Sequence, residues 1–548
     1  MYQQNFNPTG SLWLSALLAA LPLLAVLVLL GVFKWKAHWA GISGLVAGFL
    51  IAILPFAYGM PIAQALDSAV YGAARAVLLI LWITFNAIWI YKMTERSGHF
   101  GVLRRAFQGI SEDKRITAIV IAFSFGALIE ALAGGGSPIA ICAVMLIALG
   151  FEPMRAAVIA LIANTAPVAF GGMGNPITIL GSVTELPPEP FGAMAGRQTA
   201  FIALLVPFIL VFVADGRRGL RQAWPAALVA GLSFGATQIL MSQVNYLLTD
   251  IAAALVSAVV LVAFGKIWKP VETVGFTPSP TPIAGGSVDD PAFVRIHGRP
   301  GGDTTGDKIA AFAPYAIIIS LFSIAQIPAI KTYLAGFTVK PAWPGLDLVN
   351  PAGKAVPVVY ELPWASHPGT LLFVSGLLTL LVLRISPVSA LATYGATIRQ
   401  FGWAIITILS VFALAFVMQF SGQIQTLGLF LAGAGAFFAF LSPVVGWFGV
   451  AITGTDAGAN ALFAKLQTTA AGQLNIPPEL FGAANSAGGV MGKMISPQNL
   501  AIGTAAVGLV GEEGNLFRRV IGWSAVLLLI LCVLVFLQST PVLGWMVP

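Results

Sequence analysis

Residues 125–138 decide how this chain folds: Phe125-Gly126-Ala127-Leu128-Ile129-Glu130-Ala131-Leu132-Ala133-Gly134-Gly135-Gly136-Ser137-Pro138. The stretch opens as an apolar helix and breaks on three glycines, with Glu130 four residues before the first of them. It restarts at Ser137-Pro138, where serine is expected to cap the new helix and proline to take its first position. Such a break at hydrocarbon depth frees backbone groups that have no water to bond. It is tolerated only where it is buried in protein or lines a cavity. The pattern predicts a re-entrant hairpin rather than a loop between two ordinary spans.

Outward from that stretch, the composition agrees. Of 548 residues, 58% are hydrophobic and only 9% charged, with mean hydropathy +0.90; soluble domains carry about a quarter charged residues. Apolar runs of about twenty residues match helices crossing a bilayer, not the shorter alternating segments of a barrel. The fold class is therefore an all-α polytopic membrane protein, with about twelve transmembrane helices plus two re-entrant hairpins. A net charge of +7 does not imply nucleic acid, because the basic residues sit in short loops, where they act as topology signals. Cys142 and Cys532 both lie in apolar runs and imply no disulfide framework.

Expected spans are 12–33, 39–57 and 70–91, then a short amphipathic piece at 100–110. A hairpin at 116–150 and a broken helix at 154–182 follow, with spans at 199–214, 224–241 and 246–265. Residues 266–308 are rich in Pro, Gly and charge and read as a mobile loop. Spans resume at 309–328, 368–383 and 401–421, followed by a short amphipathic piece, a hairpin at 436–471, a broken helix at 480–510 and a last span at 521–537. Lys34, Lys36, the six basic residues from Lys92 to Arg115, Arg217, Arg218, Arg221, Lys266, Lys269, Arg295, Arg299, Lys308, Arg384, Arg399, Arg518 and Arg519 fall on one side if each hairpin returns to the face it entered. That side is the cytoplasm; both termini are then outside, and the two hairpins enter from opposite faces.

Opposite entry is what an inverted repeat requires. Ser97-Gly98 recurs as Ser421-Gly422, 324 positions later; Phe125-Gly126 as Phe448-Gly449, at 323; Asn164 and Pro176 as Asn485 and Pro497, at 321. Residues 1–215 and 309–548 are thus expected to be inverted repeats, joined by two helices and a cytoplasmic loop in 216–308. Interrupted segments at matching places in two halves point to a transporter's binding site. Half-helices are expected to start at Ser137, Asn175, Asn460 and Ser496, and a helix N-terminus offers free N–H groups and partial positive charge to an anion. Candidate substrate groups are Gly135, Gly136, Ser137, Asn164, Thr165, Asn175, Asn460, Asn485, Ser486, Ser496 and Gln498. Among 21 acidic residues, only Glu130 and Asp456 are placed at membrane depth, one beside each hairpin break. Buried carboxylates of this kind are functional candidates and suit a proton carrier. Lys493, in the other break of the second half, is a candidate ion-pair partner for Asp456. The histidines fall in loops, which argues against a histidine relay; Arg75 reads as structural, and Lys465 as snorkelling or facing a wet surface.

At these residues the chain resembles the lactate permease family over essentially its whole length. The resemblance rests on Gln3-Gln4-Asn5 with Pro8, Phe125-Gly126-Ala127 with Glu130, and residues 164–171 (Asn-Thr-Ala-Pro-Val-Ala-Phe-Gly). Gly454-Thr455-Asp456 with residues 460–464, and Gly492-Lys493-Met494-Ile495-Ser496-Pro497-Gln498, carry it further. It implies a secondary transporter moving L-lactate, D-lactate or glycolate with protons across the bacterial inner membrane, without a cofactor and without enzymatic activity. Sodium coupling is the nearest alternative, with unwound carbonyls and Asp456 as ligands; a channel or an antiporter-like subunit fits the matched breaks less well. No Walker A pattern supports ATP-driven transport.

Overall fold

A computed structural model describes residues 1–548 except 32, 34, 109–110, 112, 133, 135, 276–302, 326, 357, 401 and 510. The site residue Gly135, the topology residues Lys34, Arg295 and Arg299, and most of the expected mobile loop lie outside the described residues. The rest is an all-α polytopic membrane protein. Among the described residues, eight helices are long and apolar enough to cross a bilayer, and the bent pair Pro153–Ala163 and Val168–Thr184 makes a ninth. One of the eight, Pro188–Val244, runs for 57 residues. Straight, it would measure about 85 Å, nearly three hydrocarbon cores. Instead it turns at Asp215 (φ −145°, ψ 19°) and Gly216 (φ 61°, ψ −147°) and forms two helices. Shorter apolar helices, His38–Ile53 and Pro368–Val382 among them, complete the set.

Several elements differ from expectation. The third span is the middle of a longer helical run, Ile62–Arg75, π-helical Ala76–Leu81 and Trp82–Arg96. A helix unforeseen in the sequence, Pro387–Gln400, follows a turn in which Arg384 takes φ +52°; its polar content had hidden it among loop residues. The two amphipathic pieces are His99–Gln108 and Gln423–Ala432, ten residues each. Their starts lie 324 positions apart, the spacing of the Ser-Gly pairs before them.

The helices gather into two groups. In one, Gly402–Ser421 packs on Ala37–Ile53 and Ile62–Arg75, and Pro368–Val382 on Trp82–Arg96. In the other, Pro478–Lys493 packs on Phe438–Thr453, Asp456–Gln473, Pro188–Val244 and Glu513–Gln538. This second group draws on both halves of the chain and contains both hairpins. Its closest seam is backbone on backbone: a Cβ on Gly446 would overlap the Asn485 carbonyl, and one on Gly488 or Gly492 would overlap the carbonyls of Pro443 or Trp447. Small residues at helix interfaces serve this purpose in membranes, where no hydrophobic force drives helices together. The N-terminus is tied to the first group. Tyr2–Gln3 pairs in parallel with Leu348–Val349, which pairs antiparallel with Ala355–Val356. Tyr2 Oη donates to the carbonyls of Tyr58 and Ser421 at 2.9 Å.

Candidate functional site

The first hairpin descends as Lys114–Leu132, buried throughout from Arg115 on, and carries Glu130 in its last turn. Gly134 (φ 53°) and Gly136 (φ 88°) take left-handed conformations that L side chains rarely adopt. The second arm, Ser137–Ala148, has Gly136 at its N-cap and no side-chain cap. Ser137 is thus the first helical residue and not, as expected, the capping one. The first broken helix ends at Ala163, and three successive left-handed residues, Gly172, Met173 and Gly174, precede the restart at Asn175-Pro176. A Cβ on Gly171 would meet Glu130 Oε1 at 2.7 Å, so the hairpin tip lies against this break.

The second hairpin turns at Gly454 (φ 79°) and restarts with Thr455 as N-cap, which accepts from Gly458 N at 3.1 Å. Asp456 opens the new helix, and Asn460 lies inside it. The expectation that Asn460 starts the half-helix is corrected, because Thr455, two residues after the preceding helix ends at Thr453, caps first. In the second broken helix Ser496 caps as expected, accepting from Asn499 N at 3.3 Å. Asn499 Nδ2 reaches back to the Gly454 carbonyl at 3.3 Å, and a Cβ on Gly136 would lie 3.1 Å from Asn499 Oδ1. All four breaks therefore meet inside the second helix group.

Charge is concentrated where they meet. Lys493 Nζ donates to Glu130 Oε1 at 2.7 Å, a pair in which both side chains are 6% exposed or less. Asn164 Nδ2 donates to Glu130 Oε2 at 3.0 Å. Lys493 is therefore held by the acid of the other half, not by Asp456 as the sequence allowed. Asp456 Oδ2 accepts from Ser486 Oγ, and its Oδ1 has no partner. Beside this cluster a cavity of about 500 Å³ opens between the two helix groups. Glu130, Asp456, Lys493, Asn175 and Gln498 line one wall; His38, Thr84, Trp403, Thr407 and Phe412 line the other.

The remaining sequence candidates stand behind that lining. Asn485 Nδ2 donates to Asn460 Oδ1 at 2.8 Å and its Oδ1 accepts from Gln467 at 3.0 Å. Asn460 Nδ2 continues to the Pro176 carbonyl at 3.0 Å. This chain of amides clips the second hairpin to both broken helices. Thr165 bonds its own helix through the Leu161 carbonyl at 3.5 Å, and Gly136, Ser137, Asn164, Ser486 and Ser496 do not face the cavity either. Three residues depart from expectation. His38 is not a loop residue: it lies in the helix Ala37–Ile53, buried, its ring stacked on Trp403 at 4.3 Å. Lys465 does not snorkel but donates to the Thr184 carbonyl at 2.8 Å. Asp250 is a further buried acid, 1% exposed. It begins a span only four residues after Tyr246, so in sequence it reads as a helix-start residue at the interface.

Away from His38 and Trp403 the two groups touch through polar contacts. Arg75 Nε donates to Ser182 Oγ at 3.3 Å and Gln419 Nε2 to Glu185 Oε2 at 2.8 Å. Arg75 also stacks over the rings of Tyr71 and Phe416, so it bridges the groups rather than merely bracing its own helix.

Helices broken at matched places, beside a cavity lined by two acids and a lysine inside an all-α membrane protein, define a membrane transport protein. Residues 15–542 match the family model described as L-lactate permease. The chain belongs to that family. It is 39% identical over 563 residues to an L-lactate permease of Salmonella typhi, covering 100% of both chains. Over 574 residues it is 39% identical to the glycolate permease GlcA of Escherichia coli (strain K12), covering 100% of this chain and 99% of that one. An L-lactate permease of Bacillus subtilis (strain 168) is 39% identical over 575 residues, with 100% of both covered.

Proposed function

We propose that this protein imports lactate, glycolate or similar small 2-hydroxymonocarboxylates with protons, by alternating access, across the bacterial inner membrane. Lys493 carries this reading: it is the one lysine or arginine among the described cavity-lining residues, and it sits where the helix breaks meet. An incoming carboxylate competes with Glu130 for the ammonium and takes further N–H groups from the helix starts at Asn175, Asp456 and Gln498. Asn175 and Gln498 orient the hydroxyl end. Asp456, with one oxygen bonded to Ser486 and one free beside the cavity, carries the coupling proton. The second helix group is the moving body, and the halves 1–215 and 309–548 are inverted repeats with both chain ends outside.

The basic ends of the helices set the direction. His38 follows Lys36, and Trp403 follows Arg399, so the cavity opens on the side the positive-inside rule assigns to the cytoplasm. The contacts of Arg75 and Gln419 with Ser182 and Glu185 then close the outer side. Joining Gln419→Cys to Glu185→Cys with a short bifunctional thiol reagent should arrest uptake, and cleaving the linker should restore it; Cys142 and Cys532 are buried and do not compete. Normal uptake by the cross-linked protein would refute closure at this point.

Asn175→Ala and Gln498→Ala should each weaken apparent lactate affinity roughly ten- to a hundredfold, the value of a hydrogen bond to a charged ligand. Asn485→Ala, behind the wall, should instead lower thermal stability. Counterflow of labelled lactate and glycolate in proteoliposomes, with proton and sodium gradients imposed separately, tests the whole proposal. A proton gradient should drive accumulation; accumulation on sodium alone would overturn proton coupling.

A further inference from the structure

A second cavity, of about 390 Å³, lies away from the substrate site, at the ends of the helices Trp82–Arg96 and Pro368–Val382 and the start of Pro387–Gln400. Arg96, His99 and Arg384 line it with Ser386, Ser389 and Thr393. No acid stands among the described lining residues; Glu95, next to Arg96 in sequence, is not one of them. Arg96 Nη1 donates to Thr393 Oγ1 at 2.8 Å. Among the described residues neither lining arginine is paired with a carboxylate, whereas Arg105, Arg115 and Arg218 each are. Two guanidiniums that line one cavity without a counter-charge make a site for an anion, and their planar forks suit phosphate oxygens.

The helix start adds to this. Ser386 Oγ accepts from Ser389 N at 3.2 Å, so the cavity meets the partial positive end of the 14-residue helix Pro387–Gln400. In the turn before it Arg384 takes φ +52°, a conformation that glycine holds with less strain. Strain of this kind collects at ligand clamps.

The surface beside the cavity says what the anion is attached to. Pro387–Gln400 buries Ala390, Thr393 and Thr397 and packs on Trp82–Arg96, with Trp89 Nε1 donating to the Ala390 carbonyl at 2.9 Å. Away from that face, Val388, Leu391 and Ile398 fall in one stripe at helical spacing. Val388 is 80% exposed and Leu391 73%, and Leu381 at the end of the neighbouring helix is 67% exposed. An amphipathic helix with such a stripe lies in a membrane surface. A soluble anion brings nothing to cover these side chains, whereas the acyl chains of a lipid do. By the positive-inside rule this end of the helices lies on the side assigned above to the cytoplasm.

We propose that the cavity binds the phosphate of an anionic phospholipid of the cytoplasmic leaflet, whose acyl chains run along Leu381, Val388 and Leu391. The phosphate oxygens accept from Arg96 and Arg384, and the lipid ties Pro387–Gln400 to the helices beside it. The site is separate from the substrate cavity and stands whether or not transport is coupled to protons.

Native mass spectrometry tests this on the whole chain, released from micelles that hold equal amounts of phosphatidylglycerol and phosphatidylcholine with the same acyl chains. Wild type should retain the anionic lipid with a preference of roughly thirtyfold, the value of two basic residues near an anionic surface. Arg96→Gln/Arg384→Gln should lose most of that preference while melting like wild type in lipid-free detergent. Inorganic phosphate at millimolar concentration should leave the lipid in place, because it cannot cover the apolar stripe. Equal retention of the two lipids by wild type overturns the proposal, a result obtainable even if the double variant does not fold. So does an unchanged preference in the folded double variant. Displacement of the lipid by inorganic phosphate would refute the lipid and assign the cavity to a soluble anion.

Discussion

Lys493→Met should abolish measurable uptake. Removing one partner of a buried, hydrogen-bonded charge pair costs about 3–5 kcal/mol, because the other charge is left uncompensated. Here that charge is Glu130, 4% exposed and held by Lys493 and Asn164. The same change removes the cation offered to substrate, so apparent affinity should fall roughly 10²- to 10³-fold. Two effects are mixed in that loss, and the double variant Glu130→Gln/Lys493→Met separates them. With both charges gone, thermal stability in detergent should return toward wild type, as apolar or neutral replacements of buried pairs commonly allow. Substrate binding should stay lost. If the double variant binds lactate with wild-type affinity, Lys493 serves only to balance Glu130, and the carboxylate binds elsewhere.

Arg115→Leu should give the largest loss of stability in the molecule. The guanidinium is fully buried. It forks onto Asp113 at 2.7 and 3.0 Å and reaches Asp215 at 3.0 Å, Gln222 at 2.9 Å and the Glu272 carbonyl at 2.7 Å. It thereby pins the start of the first hairpin to the Asp215–Gly216 turn and to the loop beyond residue 270. Loss of the arginine side chain leaves Asp113, itself 1% exposed, with only the backbone N–H groups of residue 115 and Val274, at a cost of about 3–5 kcal/mol. Arg115→Lys should rescue little, because an ammonium cannot reproduce the planar fork. The measurement is the melting temperature of purified protein with and without lactate. A variant that melts within a degree of wild type would show that the cluster holds nothing together.

The breaks were legible in the sequence because glycine and proline mark them directly. Gly134, Gly136, Gly174-Asn175-Pro176, Gly454 and Ser496-Pro497 all stand at observed breaks. Glu130 and Asp456 were legible as acids within apolar runs. Their partners were not. Lys493 and Glu130 lie 363 positions apart, and only the packing of the two halves chooses Glu130 over Asp456. His38 and Asp250 escaped notice because each sits within a few residues of a span's end, where polarity is unremarkable in sequence. Their burial comes from neighbours, Trp403 for one and the helix Pro188–Val244 for the other. Asn485 and Asn460 read as ligand groups because an amide that satisfies a neighbouring amide looks the same in sequence as one that waits for a ligand.

The seam at Gly446, Gly488 and Gly492 limits how this machine can operate. Backbones already in contact at three levels cannot slide past one another, and no flexible side chain lies between them to yield. The second hairpin therefore cannot swing out like a flap over its own broken helix. Under the alternating-access proposal, opening the far side would require the whole glycine-locked block to travel as a solid against the other helices. The surface along which it would slide is the one where the cavity lies, which Phe412, Thr407 and Ile408 line.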